Sequence, residues 1–164
     1  MSYLLNPEKF YLQQSNTPSR QTVSTTYIEI TGSKCQVTTS STVNVLYQFE
    51  YHISTNYTFG TGGAYDKILF HVKLQKSNDN FSSNIVDIAG TKHNVSGDTV
   101  ENRDYYYTVS SPTFFTSVDS NDYLRLVIRA YSTSNEGYLH QMNQFDGSSP
   151  NQKIFDTSLL VAEI

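Results

Sequence analysis

Apolar and polar residues alternate along most of the chain from Tyr27 onward, which is typical of β-strands with one buried face. The clearest run is 43–52, and 67–75 and 123–131 repeat its pattern. The residues that share the apolar face of the first run are Val43, Val45, Tyr47, Phe49 and Tyr51. Turn-forming Gly, Ser, Asn and Asp residues separate the runs, and no segment has a convincing helical period. The pattern predicts an all-β domain of short antiparallel strands, packed as a sandwich or barrel.

The first 25 residues do not follow this alternation. Their apolar residues have no clean period, and the segment 15–26 is polar and contains Pro18. We interpret residues 1–25 as an extended N-terminal arm and linker, followed by one sandwich domain at 26–164. A frayed terminus is the alternative interpretation. The apolar residues expected to anchor the arm on a partner surface are Leu4, Leu5, Phe10, Tyr11 and Leu12.

The final run, residues 158–164, contains four successive apolar residues at 159–162. A strand that is apolar on both faces is usually buried on both, but the core of a two-layer sandwich covers only one face. We therefore predict that a neighbouring copy of the chain covers the second face. The alternative is that Leu160 and Ala162 are tolerated surface residues. The predicted subunit-contact residues of this strand are Leu159, Leu160, Val161, Ala162 and Ile164.

Aromatic residues suggest two further contact surfaces. Consecutive Tyr105, Tyr106 and Tyr107 on one predicted strand would point to both of its faces. Tyrosine combines a large contact area with a polar tip, so we include these three in the predicted subunit interface. Ordinary cross-strand tyrosine pairs are the alternative. Aromatic residues of loop-like segments would suit stacking against a sugar, and these are Tyr57, Phe59, Tyr65 and Tyr138.

Composition restricts the partners. Charged residues make up only 16% of the chain, the net charge is -4, and there is no basic run, which argues against nucleic-acid binding. No apolar stretch approaches the roughly 20 residues of a membrane helix, so no membrane insertion is expected. The N-terminus lacks the pattern of a signal peptide. Cys35 is the only cysteine, which excludes an intrachain disulfide, and we interpret it as a small hydrophobic strand residue.

Catalytic and cofactor motifs are not found. The chain has no Gly-x-Ser-x-Gly elbow and no glycine-rich phosphate loop followed by Lys-Ser/Thr. His52 and His71 would suit a shared metal ion only if their strands pair, and solvated histidines are the simpler interpretation. We expect no catalytic residues, no metal, no cofactor and no enzyme activity. A small hydrolase is the alternative if His71 or His140 lies beside a carboxylate in a buried pocket.

The order of the strand-like runs resembles the trimeric jelly-roll heads of the complement and tumour-necrosis-factor-like superfamily. The runs that carry the resemblance are 26–30, 43–52, 67–75, 119–131 and 159–164. The resemblance implies an antiparallel jelly-roll β-sandwich and a homotrimer whose last strand lies near the threefold axis. Such heads also occur in virion proteins of tailed phages, as capsid decorations and fibre tips.

A short chain with an N-terminal arm and no collagen-like stalk suits the virion members of that superfamily. The resemblance therefore implies a structural protein on the particle surface, either a capsid-decoration or a tail-fibre protein, in contact with other capsid or tail proteins. The alternative is a carbohydrate- or receptor-binding head that contacts a host-surface glycan through the loop aromatics.

Overall fold

The strands predicted from the alternation are present and form two antiparallel sheets. The computed structural model describes residues 11–16, 18–56, 67–88, 93–98, 105–131, 136–143, 150–153 and 156–164. Within these ranges the regular structure is entirely β, and no helix occurs. The two main sheets enclose one hydrophobic core, so the prediction of an all-β antiparallel sandwich is confirmed.

Each main sheet combines long and short strands. Within the described residues, sheet A consists of β1 (Tyr11–Asn16), β2 (Gln21–Val23), β5 (Val43–Asn56), β9 (Tyr105–Ser110), β10 (Phe114–Val118), β12 (Glu136–Leu139) and β15 (Thr157–Glu163). Sheet B consists, on the same basis, of β3 (Ile28–Glu29), β4 (Cys35–Gln36), β6 (Lys67–Ser77), β7 (Val86–Asp87), β8 (His93–Asp98) and β11 (Tyr123–Ala130). A separate pair is formed by β13 (Gln141–Asn143) and β14 (Pro150–Lys153).

Sheet A is organised around β5, whose two edges each pair with two strands in succession. On one edge, β15 pairs with residues 45–50 and β12 with residues 53–56. On the other edge, β10 pairs with residues 43–47 and β9 with residues 50–55. Since β1 pairs with β15 and β2 with β12, the sheet has a lower half, β1–β15–β5–β10, and an upper half, β2–β12–β5–β9. The two halves share β5.

The interruption between β9 and β10 has a local cause. Pro112 has no amide hydrogen and cannot continue the ladder. The preceding residue, Ser111, makes both hydrogen bonds to Phe49 of β5. Its amide donates to the Phe49 carbonyl at 2.8 Å, and its Oγ accepts from the Phe49 amide at 2.8 Å. A buried serine side chain thus replaces a backbone group at the break.

The core lies between the inner faces of the two sheets. Sheet A contributes the inward residues of β5, which are Val45, Tyr47, Phe49, Tyr51 and Ile53. Sheet B contributes Phe70, Val72, Leu74, Leu124, Leu126 and Ile128. The hydroxyl of the fully buried Tyr47 donates to the carbonyl of Ser33, which satisfies its polar tip and links the sheets. Burial of each large apolar side chain contributes about 1.5–3 kcal/mol.

The sheets approach closely at Gly137 of β12. A Cβ at this position would lie 2.5 Å from Cζ of Phe70, which projects from β6 of the opposite sheet. That distance is far shorter than a van der Waals contact between carbon atoms. Since Phe70 is itself buried, its ring has little room to move away. Glycine therefore sets the local spacing between the sheets.

We expect Ser111→Ala to lower the free energy of unfolding by about 1–3 kcal/mol, because it leaves the buried Phe49 amide without an acceptor. Equilibrium urea unfolding measures the change. Ser110→Ala is the matched control, because Ser110 is exposed, and its effect should stay within about 0.5 kcal/mol. Equal losses in the two variants would contradict the role assigned to Ser111.

We expect Gly137→Ala to destabilise the protein by about 1–3 kcal/mol through overpacking against Phe70. A double-mutant cycle with Phe70→Leu, followed by chemical unfolding, separates this contact from a backbone effect. The alanine should cost less in the Phe70→Leu background, since the shorter side chain leaves space for the methyl group. An unchanged cost would show that the contact is not the cause.

Candidate interaction surface

The outer face of the lower half of sheet A carries a row of apolar side chains. The strand register places Tyr11 of β1, Ala162 of β15, Leu46 of β5 and Phe115 of β10 side by side. Tyr11 is 51% and Phe115 61% exposed, while Leu46 and Ala162 are half-buried. With strands about 4.8 Å apart, the row crosses roughly 14 Å of sheet surface.

The final strand extends this row along its own length. Leu160 is half-buried and lies on the same face as Ala162, because residues two apart in a strand share a side. Ile164 is 56% exposed, and its amide donates to the carbonyl of Asn44 at 3.0 Å, which holds the chain end on β5. We call the set the apolar outer patch: Tyr11, Leu46, Phe115, Leu160, Ala162 and Ile164.

The surroundings of the apolar outer patch are polar and almost uncharged. The neighbouring outward residues of the four strands are Gln13, Ser15, Asn44, Gln48, Ser117 and Ser158. Among the described outward positions of the lower half, Glu50 is the one charged residue, and its carboxylate accepts a hydrogen bond from Ser110 at 3.2 Å. An apolar centre with a polar, uncharged rim is typical of a protein–protein contact surface.

The structure divides the predicted contact residues of the final strand between two faces. Leu159 and Val161 are 0% exposed and belong to the core of their own chain, so they are not available to a neighbouring subunit. Leu160, Ala162 and Ile164 lie on the outer face. A second copy that covered this strand would therefore contact these three residues.

The three consecutive tyrosines belong to a different part of the sheet. Tyr105, Tyr106 and Tyr107 begin β9 and pair with residues 53–55 of β5 in the upper half. The apolar outer patch lies in the lower half. The structure therefore does not bring these tyrosines together with the contact residues of the final strand.

Sequence reasoning missed Leu46 and Phe115. Leu46 occupies an outward position between Asn44 and Gln48, and Phe115 follows the inward Phe114. Each is an apolar residue at a strand position where the alternation predicts a polar one, and this exception could have identified them. The exception alone does not show which other outward residues lie beside it, because the strand register sets the neighbours.

Part of the predicted arm lies in sheet A. Leu4, Leu5 and Phe10 are outside the described residues. Tyr11 and Leu12 lie on β1, which pairs with β15, and Leu12 packs against the core while Tyr11 faces outward. Further along the arm, β2 pairs with β12. Residues 11–16 and 21–23 are therefore structural strands of the sandwich.

Of the aromatic residues proposed for sugar stacking, only Tyr138 lies within the described residues. Tyr57, Phe59 and Tyr65 fall outside them. Tyr138 is half-buried on β12, and the guanidinium carbon of Arg20 lies 3.6 Å from its ring centroid. This cation–π contact covers one face of the ring, which leaves at most the other face for a sugar.

The two histidines considered as a shared metal pair lie in different sheets. His52 lies on β5 of sheet A and His71 on β6 of sheet B, so their strands do not pair. The Nδ1 atom of His71 lies 2.7 Å from the hydroxyl of Tyr27. Neither ring nitrogen of His140 has a hydrogen-bond partner within the described residues. Across those same residues, no three His, Cys, Asp or Glu side chains are placed to hold a metal ion.

Cys35 is a buried residue of β4, as its interpretation as a small hydrophobic strand residue requires. Burial raises the pKa of its thiol to about 12, and a backbone hydrogen bond with Leu124 only partly opposes this shift. The thiolate form is therefore scarce at neutral pH, which makes the side chain a poor nucleophile.

In the described part of the chain, no helix has both the length and the apolar character needed to cross a membrane. No protein-family model matches the sequence, and no curated protein matches it either.

Proposed function

We propose that the chain is a non-enzymatic structural subunit that associates with copies of itself, as a homotrimer, through the apolar outer patch. The observation that carries the proposal is the row formed by Tyr11, Ala162, Leu46 and Phe115 across four neighbouring strands. A cluster of this kind in water costs free energy that burial against a partner recovers, at about 25 cal/mol per Å² of apolar surface.

The charge distribution supports a second copy as the partner. The chain has a net charge of -4, so two copies repel each other over most approaches. On the lower half of sheet A, Glu50 is the one charged outward residue among those described. Copies that meet through this face therefore bring together little like charge.

The position of β15 supports a preorganised contact surface. This strand pairs with β1 on one edge and with β5 on the other. Leu160 and Ala162 are therefore held on a continuous four-stranded surface with backbone hydrogen bonds on both sides. A surface that is ordered before association loses less conformational entropy on binding.

The apolar outer patch would form the centre of the interface and not all of it. Stable interfaces bury about 800 Å² on each partner, and their core is apolar while their rim is polar. The surrounding Gln13, Gln48, Asn44 and Ser117 suit the rim, because amides and hydroxyls can hydrogen-bond across an interface without charge burial.

For the location of this subunit, we propose the surface of a phage virion, as a capsid-decoration or tail-fibre protein. The support is the resemblance of the strand order to jelly-roll, tumour-necrosis-factor-like heads, together with an antiparallel sandwich of two sheets. In this proposal Leu4, Leu5 and Phe10 contact another capsid or tail protein.

Aspartate substitutions at Leu160 or Phe115 test the assembly. We expect the wild-type chain to be a trimer at micromolar concentration by size-exclusion chromatography with light scattering. Leu160→Asp and Phe115→Asp would each bring like carboxylates together in a desolvated interface, so association should weaken by about tenfold or more.

Tyr131→Asp is the control, since Tyr131 follows β11 in the other sheet and is 70% exposed. It should remain trimeric, and circular dichroism verifies that each variant is folded. A monomeric wild-type chain, or identical behaviour of all three variants, would contradict the proposed assembly.

Cryo-electron microscopy of native particles tests the virion location separately, and absence of the chain from purified particles would contradict that part alone.

A further inference from the structure

The chain leaves and re-enters the same edge of β5 at the boundary between the two halves of sheet A. The strand β12 ends at Leu139, the chain then forms the β13–β14 pair, and it returns to β5 as β15. The backbone turns away from β5 at His140. Its φ is 71°, a left-handed conformation that few residues other than glycine adopt, and its amide donates to the carbonyl of His52 at 2.9 Å.

Two buried imidazoles meet at this junction. His52 is 6% and His140 1% exposed. His52 occupies an outward position of β5, and β13 lies against β5. Both ring nitrogens of His140 are buried and lack a hydrogen-bond partner within the described residues. A neutral imidazole at this site costs a moderate amount of free energy, but an imidazolium there would be a buried charge with no acceptor among the described residues.

Several ionisable groups lie on the elements that surround the pair. Glu50 of β5 favours protonation of His52, but burial has the larger effect and lowers the pKa of His52. Burial, and next the proximity of His52, lowers the pKa of His140 to about 4. Other charged residues on the described parts of the adjoining elements include Arg20 before β2, Glu136 of β12, Lys153 of β14, Asp156 before β15 and Glu163 of β15.

We infer that this junction opens in acid. Protonation of His140 and His52 separates β12 and β13 from β5, while the lower half of sheet A stays paired. The inference concerns the upper half of sheet A and does not rest on the proposed assembly. The strand β12 has only four residues, so few ladder hydrogen bonds oppose its release. The strand β12 pairs with β5 at four positions and with β2 at three, whereas β15 pairs with β5 at six positions and with β1 at six.

The direction of the pH effect follows from proton binding. An opened, hydrated histidine titrates near 6.5, whereas the closed junction holds His140 neutral down to about 4. Between these values the open form binds more protons, so acidification favours it. The opening equilibrium should increase by up to about tenfold per pH unit across this window because of His140. His52 should add to the increase in the same direction, and the closed form should prevail above the window.

Hydrogen–deuterium exchange read by mass spectrometry measures the opening in the full chain. A peptide that covers 136–143 reports the junction, and one that covers 123–130 of β11 is the internal reference. After correction for intrinsic exchange, protection of the junction should fall by about 30-fold or more relative to the reference between about pH 6.5 and about pH 4.5. Constant relative protection would overturn the inference.

His140→Asn is the matched variant, because asparagine adopts the left-handed conformation readily and does not ionise. Its junction should retain only the pH dependence that His52 contributes, and His52→Gln/His140→Asn should show none. The same pH dependence in His140→Asn as in the wild type would overturn the inference. If a variant fails to fold, NMR titration of the wild-type imidazoles tests the inference instead. The pKa of His140 should lie well below 6.5, and a pKa near 6.5 would refute the inferred acid opening.

Discussion

The pairing of β5 along both of its edges is the interaction on which the rest of the sandwich depends. Its outward and inward residues alternate from Val43 to Ile53, and its inner face supplies Tyr47, Phe49 and Tyr51 to the core. Every other strand of sheet A belongs to only one half of the sheet. The two halves are therefore held in one continuous surface because β5 bonds to β15 and β12 on one side and to β10 and β9 on the other.

Sheet B uses the same arrangement, with short strands paired in succession along a long one. On one edge of β11, β3 and β4 pair at different positions, and the chain between them loops out. Ser33 lies in this interval, where its Oγ donates to the Leu126 carbonyl at 3.3 Å and accepts from the Leu126 amide at 3.1 Å. The Oγ of Ser111 similarly accepts a hydrogen bond from the amide of Phe49 in β5. Two buried hydroxyls thus satisfy backbone groups where neighbouring strands break, which leaves these backbone groups paired.

The two halves of sheet A differ in how firmly they are held, and their proposed roles differ accordingly. In the lower half, β15 pairs at six positions with β1 and at six with β5, against three and four for β12 with β2 and β5, so its outer face is held more firmly and suits a contact surface. The upper half depends on the four residues of β12 and on a junction with two buried, neutral imidazoles. A rigid face and an adjacent, less firmly held junction on one sheet would allow one part to respond to pH while assembly through the other continues.

Alternation of polar and apolar residues was enough to predict the main strands and their buried faces, because a period of two reports burial directly. The runs 43–52, 67–75 and 123–131 became β5, β6 and β11, with the expected residues in the core. Three features follow only from the folded chain: the register that aligns Phe115, Leu46 and Ala162 in one row, the pairing of β1 with β15, and the backbone hydrogen bond between His140 and His52. These contacts join residues far apart in the chain, and a local alternation of polar and apolar residues carries no information about which distant strand lies next to which.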